Sequence, residues 1–265
     1  MSIAARWIVS AALTATLGMP LASMAQSAFN GTWHTDMSKS KISPKPNVFY
    51  LSQGWYHCVS CNPAYDVKAD GTDQPVTGQS FDTISVTESD AKTLSITAKK
   101  AGKADFEQTR TVSADGKTLT VKTTSHPPNS AQPLTAEVTA TLDGIAPAGV
   151  HATSGSWVIA KVKQSDNGLD TTYKVNGDEI TMSQPTGESY TAKLDGTDAP
   201  YKGSNSTDTV SVKKIDAHNL EETDKMGGQV VEVDKITVSP SGRSMTIVAT
   251  NKRNDRTSTY VATKK

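Results

Sequence analysis

The chain has 265 residues, and its 27 basic and 27 acidic side chains give a formal net charge of zero at pH 7. Such a balance provides no electrostatic footprint for nucleic acid or an acidic membrane surface, so we expect no nucleic-acid partner. The length allows one large β-domain, or two domains of about 120 residues that each bury their own core.

Residues 1–25 have the pattern of a secretory signal peptide. Arg6 supplies the positive charge, residues 8–21 are mostly apolar, and residues 22–25 are mostly small, which suits peptidase cleavage. Gly18 and Pro20 interrupt the apolar stretch, which disfavours a retained anchor of about 20 apolar residues. We therefore expect a periplasmic or secreted protein without stable membrane insertion. Removal of Arg6 leaves 26 basic and 27 acidic residues, a net charge of −1.

The segment Trp55-Tyr-His-Cys-Val-Ser-Cys61 contains both cysteines of the chain. In an exported protein we expect Cys58 and Cys61 to form a disulfide that staples a β-turn. Two alternatives remain open. A thioredoxin-type redox site requires a helix N-terminus, which the sequence does not predict after Cys61. A zinc site would need His57 and a fourth ligand such as His34, and we predict no metal.

The chain is a tandem duplication. Four segment pairs match in order, at offsets of 124 to 126 residues. They are Gly31–Trp33 with Gly155–Trp157, Ala64–Asp73 with Ser189–Asp198, Asp82–Val86 with Asp208–Val212, and Thr111–Thr120 with Thr237–Thr246. We predict a first repeat over residues 26–142, a linker rich in Gly, Ala and Pro over 143–153, and a second repeat over 154–265.

Each repeat is predicted to be a series of β-strands separated by turn dipeptides such as Asn176-Gly177. The predicted strands of the second repeat are 156–163, 169–175, 179–184, 189–194, 208–213, 219–224, 229–238, 244–250 and 258–263. Strands such as Thr209–Lys213 alternate aliphatic and polar residues, which is typical of half-buried antiparallel strands. A meander hides its edges best by closing. We therefore predict an all-β fold class with two tandem up-and-down antiparallel β-barrels, one per repeat.

The repeated segments Asp70-Gly-Thr-Asp73 and Asp195-Gly-Thr-Asp198 each place two carboxylates three positions apart. Calcium prefers six to eight oxygen ligands, and neither segment has the spacing of an EF-hand loop. Turn formation by Asp-Gly explains both segments, so we predict turns.

Phe29-Asn-Gly-Thr-Trp33 and Ser154-Gly-Ser-Trp157 each place a Gly-x-Trp at the start of a meander. This arrangement resembles the lipocalin (calycin) superfamily, and each repeat resembles uncharacterised exported bacterial lipocalin-like proteins. The resemblance implies that Trp33 and Trp157 are structural residues that close one end of a barrel near an arginine of a late strand. Arg253 and Arg256 match that arginine in the second repeat.

The sequence contains no nucleophile elbow, phosphate-binding glycine loop or zinc-protease helix, so we predict no enzyme, no catalytic residue and no cofactor. One hypothesis is a binding protein that holds a small apolar or amphipathic molecule in a barrel. The other is a structural module with filled barrels that contacts an envelope protein. Trp55, Tyr56 and His57 form the candidate ligand or surface patch, because the first repeat alone carries these aromatic residues.

Overall fold

In a computed structural model that describes residues 27–265, the chain forms two ten-stranded antiparallel sheets, and each sheet curls into a nearly closed barrel. The predicted fold class is thus confirmed. The predicted signal peptide, residues 1–25, lies outside the described residues. No helix within residues 27–265 is long and apolar enough to cross a membrane.

Short, regular strands make up most of the described chain. They are β1 (Gly31–Thr35), β2 (Asn47–Ser52), β3 (Trp55–Cys58), β4 (Tyr65–Lys68), β5 (Gln74–Pro75), β6 (Thr83–Asp90), β7 (Thr93–Lys100), β8 (Lys103–Val112), β9 (Thr118–Ser125), β10 (Leu134–Leu142), β11 (Gly155–Gln164), β12 (Asp170–Asn176), β13 (Glu179–Ser183), β14 (Ser189–Lys193), β15 (Asp195–Pro200), β16 (Thr209–Lys214), β17 (Asn219–Met226), β18 (Gln229–Val238), β19 (Ser244–Asn251) and β20 (Arg256–Lys264). One 3₁₀ turn, Asp166–Gly168, precedes β12.

The two repeats exchange their first strands. Barrel 1 contains β2 to β11, and barrel 2 contains β12 to β20 together with β1. Strand β1 lies between β12 and β20, and β11 occupies the same place between β2 and β10. This arrangement differs from the expectation that residues 26–142 and 154–265 each form one barrel. The linker joins β10 to β11 as an antiparallel pair, so β11 completes barrel 1 and leaves β1 to complete barrel 2.

The structural tryptophans occupy equivalent positions in the two barrels. Trp33 and Trp157 are both buried, and each indole N–H donates a hydrogen bond to the carbonyl four residues earlier. The nitrogen-to-oxygen distances are 2.8 Å to Phe29 and 2.9 Å to Thr153. Because both side chains lie in the hydrophobic cores, their first role is packing.

A lysine lies beside Trp33, in place of the late-strand arginine that the resemblance implied. The Nζ atom of Lys264 on β20 is 5.3 Å from the centroid of the Trp33 ring. Arg256 instead donates to the carbonyl oxygens of Lys45 and Pro46, both at 2.5 Å. Arg253 lies in the turn between β19 and β20. This turn contacts barrel 1, because Asn62 Nδ2 donates to the Arg253 carbonyl oxygen.

The predicted strands of the second repeat all exist, with ends within two residues of the prediction. Strand β15 was not predicted, because its Asp-Gly start also has the pattern of a turn. The turn chemistry is confirmed in both repeats: Asp70 Oδ1 accepts from the Thr72 backbone N–H at 2.9 Å, and Asp195 Oδ1 accepts from that of Thr197 at 2.8 Å.

Candidate binding cavity

Barrel 1 contains a cavity of about 400 Å³. Its wall comes from β2, β3 and β8 to β11, because alternate residues of a strand point to the same face and here that face is the barrel interior. The apolar part of the wall consists of Leu119, Val121, Val138, Ala140, Trp157 and Ile159. The volume lies within the range of about 300–1,000 Å³ that is typical of small-molecule pockets.

A guanidinium group lies inside this cavity. The Arg110 Cζ atom is 4.3 Å from the ring centroid of Phe49, and Nη1 donates to the Tyr56 hydroxyl at 2.8 Å. The Nε atom donates to Gln108 Oε1 at 2.5 Å. These neutral partners fix the orientation of the side chain without neutralising its charge.

The rim of the cavity is formed by two turns, one from each barrel. The β3–β4 turn contributes the Cys58–Cys61 disulfide, whose Cα atoms are 5.4 Å apart, followed by Asn62. The β19–β20 turn of barrel 2 contributes Asn251, Arg253 and Asn254. Access to the cavity therefore depends on how barrel 2 docks on barrel 1.

The disulfide prediction is confirmed. Strand pairing places Cys58 opposite Tyr65 and Met182 opposite Tyr190, so Cys58 corresponds to Met182 of the second repeat. Both sulfurs are bonded to each other, which leaves no thiolate for zinc, and within residues 27–265 no helix begins at Cys61, where a thioredoxin-type redox site has one. His34 lies on β1 and pairs with Asp170 at 2.8 Å. Within residues 27–265 no group of three or more His, Cys, Asp or Glu side chains is placed to hold a metal.

The aromatic patch predicted from the sequence is divided by the alternation of β3. Tyr56 points inward, is only 1% exposed and lines the cavity. Trp55 is 42% exposed on the outer face, and His57 pairs with Asp66 at 2.7 Å. Only Tyr56 of these three residues therefore contacts the cavity.

Arg110 and Gln108 were not predicted as site residues. Strand pairing aligns Arg110 with Ile236 and Gln108 with Asp234 in the second repeat. A comparison of inward-facing positions between the repeats would have identified both, because Arg110 replaces a buried aliphatic residue and Gln108 replaces an acidic one.

The interior of barrel 2 carries carboxylates where barrel 1 has neutral side chains. The opposed pairs Ile96 with Gln108 and Ala98 with Phe106 of barrel 1 correspond to Glu222 with Asp234 and Asp224 with Glu232 of barrel 2. Like charges directly opposite each other destabilise a sheet. These four carboxyl groups are therefore held together at a cost in stability, unless some of them are protonated.

Burial favours the protonated, uncharged form of these carboxyl groups. Burial, followed by the nearby carboxylates Glu232, Glu222 and Asp224, raises the pKa of Asp234 to about 9. Burial also raises the pKa of Glu222, Asp224 and Glu232. The Oδ1 atoms of Asp224 and Asp234 are buried without a hydrogen-bond partner among the described residues. The Tyr190 hydroxyl donates to Glu222 Oε2 at 2.6 Å.

The fold and the two interiors define a two-barrel β-protein with an amphipathic cavity in one barrel and a carboxyl-rich interior in the other. Comparison of the chain with protein-family models, with curated proteins and with solved structures finds no match. Functional inference therefore depends on the geometry of the barrels.

Proposed function

We propose that the protein is an exported binding protein that holds a small amphipathic molecule inside barrel 1. The observation that carries the proposal is the cavity of about 400 Å³. Its wall combines aliphatic and aromatic side chains with polar groups from β8 and from the rim, so it offers an amphipathic ligand both kinds of contact. Export is inferred from the signal-peptide pattern of residues 1–25.

Among the interior positions at which the two barrels differ, one places a small side chain beside the cavity of barrel 1 and a large one in barrel 2. Val138 lies opposite Val121 in barrel 1, whereas Tyr260 lies opposite Ile247 at the equivalent position of barrel 2. A valine leaves room where barrel 2 places a phenol ring. The same backbone thus accommodates a small or a large side chain at this position of the barrel interior.

This difference supplies the test. We expect solvent extraction of the purified mature protein to release a small molecule detectable by mass spectrometry, and an environment-sensitive apolar dye to bind with one site per chain. Val138→Tyr copies the residue of barrel 2 and should reduce dye affinity at least tenfold. Thr141→Tyr, at an exposed position of the same strand, is the matched control and should bind the dye normally.

Absence of both a co-purified molecule and dye uptake in the wild-type protein would contradict the proposal. Equal binding by Val138→Tyr and the wild type would place the dye elsewhere and contradict it as well.

The second candidate is an interaction module that contacts an envelope protein. Two large apolar side chains of the stapled hairpin favour it, because Trp55 is 42% exposed and Val59 is 52% exposed. If this function holds, Trp55→Ser with Val59→Ser should reduce retention of the protein in a washed envelope fraction. Val138→Tyr should have no such effect.

A further inference from the structure

We infer that the ligand of barrel 1 carries a carboxylate, and that Arg110 binds this group inside the cavity while the apolar wall holds an aliphatic or aromatic tail. The inference rests on the proposed function, since it specifies the ligand class of the same cavity.

The first argument is charge. The cavity is lined by Arg110 and Arg253 and by no aspartate or glutamate. Within residues 27–265 Arg110 takes part in no ion pair, whereas ten other residues, six lysines and four histidines, each have an acidic partner within 4.0 Å. A partly buried guanidinium without a counter-ion is costly. An anionic ligand would offset this cost.

The second argument is geometry. A guanidinium has five N–H donors, and the described residues accept from two of them, at Tyr56 and Gln108. The remaining donors suit a planar carboxylate, which accepts two parallel hydrogen bonds from one guanidinium. The Phe49 ring packs against the Arg110 guanidinium and fixes the orientation of its plane. The donor set is thus oriented before a ligand arrives, which reduces the entropic cost of binding.

The third argument is the internal comparison. The equivalent residue of barrel 2 is Ile236, which is buried in the core. The fold can therefore be built with an aliphatic side chain at this position. The charge at Arg110 is specific to the barrel that contains the open cavity, so a role in ligand binding accounts for it better than a role in folding.

The apolar wall determines the rest of the ligand. Leu119, Ala140 and Trp157 lie beyond the guanidinium in the same cavity and are buried. A molecule with one anionic end and an apolar body satisfies both surfaces. Arg110 is the guanidinium beside this apolar wall, whereas Arg253 belongs to the rim, so the interior suits one monoanionic group better than a dianionic phosphate.

The test compares ligands that differ only in the head group. Decanoate, decanol and decylamine are titrated into the mature protein at pH 7 by displacement of the bound dye. We expect decanoate to bind at least tenfold more tightly than decanol, and decylamine to bind most weakly. Arg110→Gln should bring decanoate to within about twofold of decanol and leave the affinity for decanol unchanged.

Two further variants complete the design. Arg110→Lys keeps the charge but not the bidentate geometry and should retain an intermediate preference. Arg243→Gln removes an exposed positive charge of barrel 2 and should bind all three compounds as the wild type does.

The possible outcomes separate the inference from the proposed function. Equal affinity of the wild type for decanoate and decanol would overturn the carboxylate assignment and leave the binding function intact. A preference that survives in Arg110→Gln would overturn the role of Arg110. Failure of all three compounds and of the dye to bind would overturn both. The wild-type comparison needs no variant, so it decides the ligand class even if Arg110→Gln does not fold.

Discussion

Trp33 lies opposite Lys264 in adjoining antiparallel strands, so a residue near the start of the described chain is paired with the second-to-last residue. The Lys264 ammonium lies 5.3 Å from the centroid of the indole ring. This pairing places a strand of the first repeat within the sheet of barrel 2. Each barrel consequently depends on a tryptophan strand that belongs, by sequence, to the other repeat.

The strand exchange predicts where the effect of a tryptophan substitution will be felt. Trp33→Ala should lower the free energy of unfolding by about 3–5 kcal/mol, the usual cost of truncating a buried aromatic side chain. Hydrogen–deuterium exchange should show lost protection in β12 and β20, which flank β1, and not in β2 to β10. Trp157→Ala is the matched variant and should affect β2 and β10. Loss of protection in β2 after Trp33→Ala would contradict the exchange.

The carboxyl groups of barrel 2 predict a stability that depends on pH. The unfolded chain releases the Asp234 proton near the ordinary pKa of 3.8, whereas burial keeps it bound in the folded protein up to about pH 9. The folded state thus binds more protons within this window, so the free energy of unfolding falls as pH rises through it. Urea unfolding between pH 4 and pH 9 measures this slope.

Replacement of one of these carboxyl groups by an uncharged side chain should reduce the change in the free energy of unfolding with pH. Asp234→Asn cannot ionise and should raise the free energy of unfolding at pH 8 by more than about 1 kcal/mol, since one pKa unit corresponds to about 1.4 kcal/mol. At pH 4 the gain should nearly vanish. Asp216→Asn is the control, because hydrogen bonds from His218 and Asn219 lower the pKa of that exposed carboxyl. A pH profile of Asp234→Asn that matches the wild type would refute the explanation.

The disulfide at the cavity rim should make a modest contribution to stability. Cys58 and Cys61 enclose a loop of only four residues, and the entropic model gives about 2 kcal/mol at most for a loop of this length. The double variant Cys58→Ser with Cys61→Ser should therefore still fold, and it should unfold at a slightly lower urea concentration than the wild type. Alkylation followed by mass measurement should detect no free thiol in the native wild-type protein. A destabilisation above about 4 kcal/mol would show that the disulfide stabilises the protein by more than its effect on the entropy of the unfolded chain.

Barrel 2 should be sensitive to one added methyl group at the place where the residues before β14 meet the residues after β15. Gly203 has a φ of +82°, and a Cβ atom at this position would lie 2.4 Å from the carbonyl oxygen of Gly187. Gly203→Ala should therefore cost at least about 3 kcal/mol, since both the backbone conformation and the contact are unfavourable. Gly242 has a φ of +68° with open space around it, so Gly242→Ala should cost only about 1–2 kcal/mol. Thermal unfolding of the two variants compares these costs.

Local sequence patterns were sufficient to predict most of the fold. Alternating residues such as Val210 and Val212 are both buried, as the period of two in β16 requires, and the turn dipeptides set the strand ends. The Asp-Gly start of β15 shows the limit of such patterns, because the same residues favour a turn and begin a strand. The disulfide was predicted from the sequence because an exported chain with only two cysteines is expected to oxidise them, and Tyr56 was named because the first repeat alone carries an aromatic residue there.

The chain by itself thus determined the duplication, the all-β class, most strand ends and the disulfide, since each depends on residues that are near in sequence or repeated at a fixed offset. Only the tertiary structure decided which barrel each tryptophan strand completes, because β1 and β11 carry the same Gly-x-Trp pattern and differ only in their neighbours. It also decided that Arg110 and Tyr56, 54 residues apart, meet inside one cavity. Contacts between distant strands depend on how the sheet closes, and no local pattern records that closure.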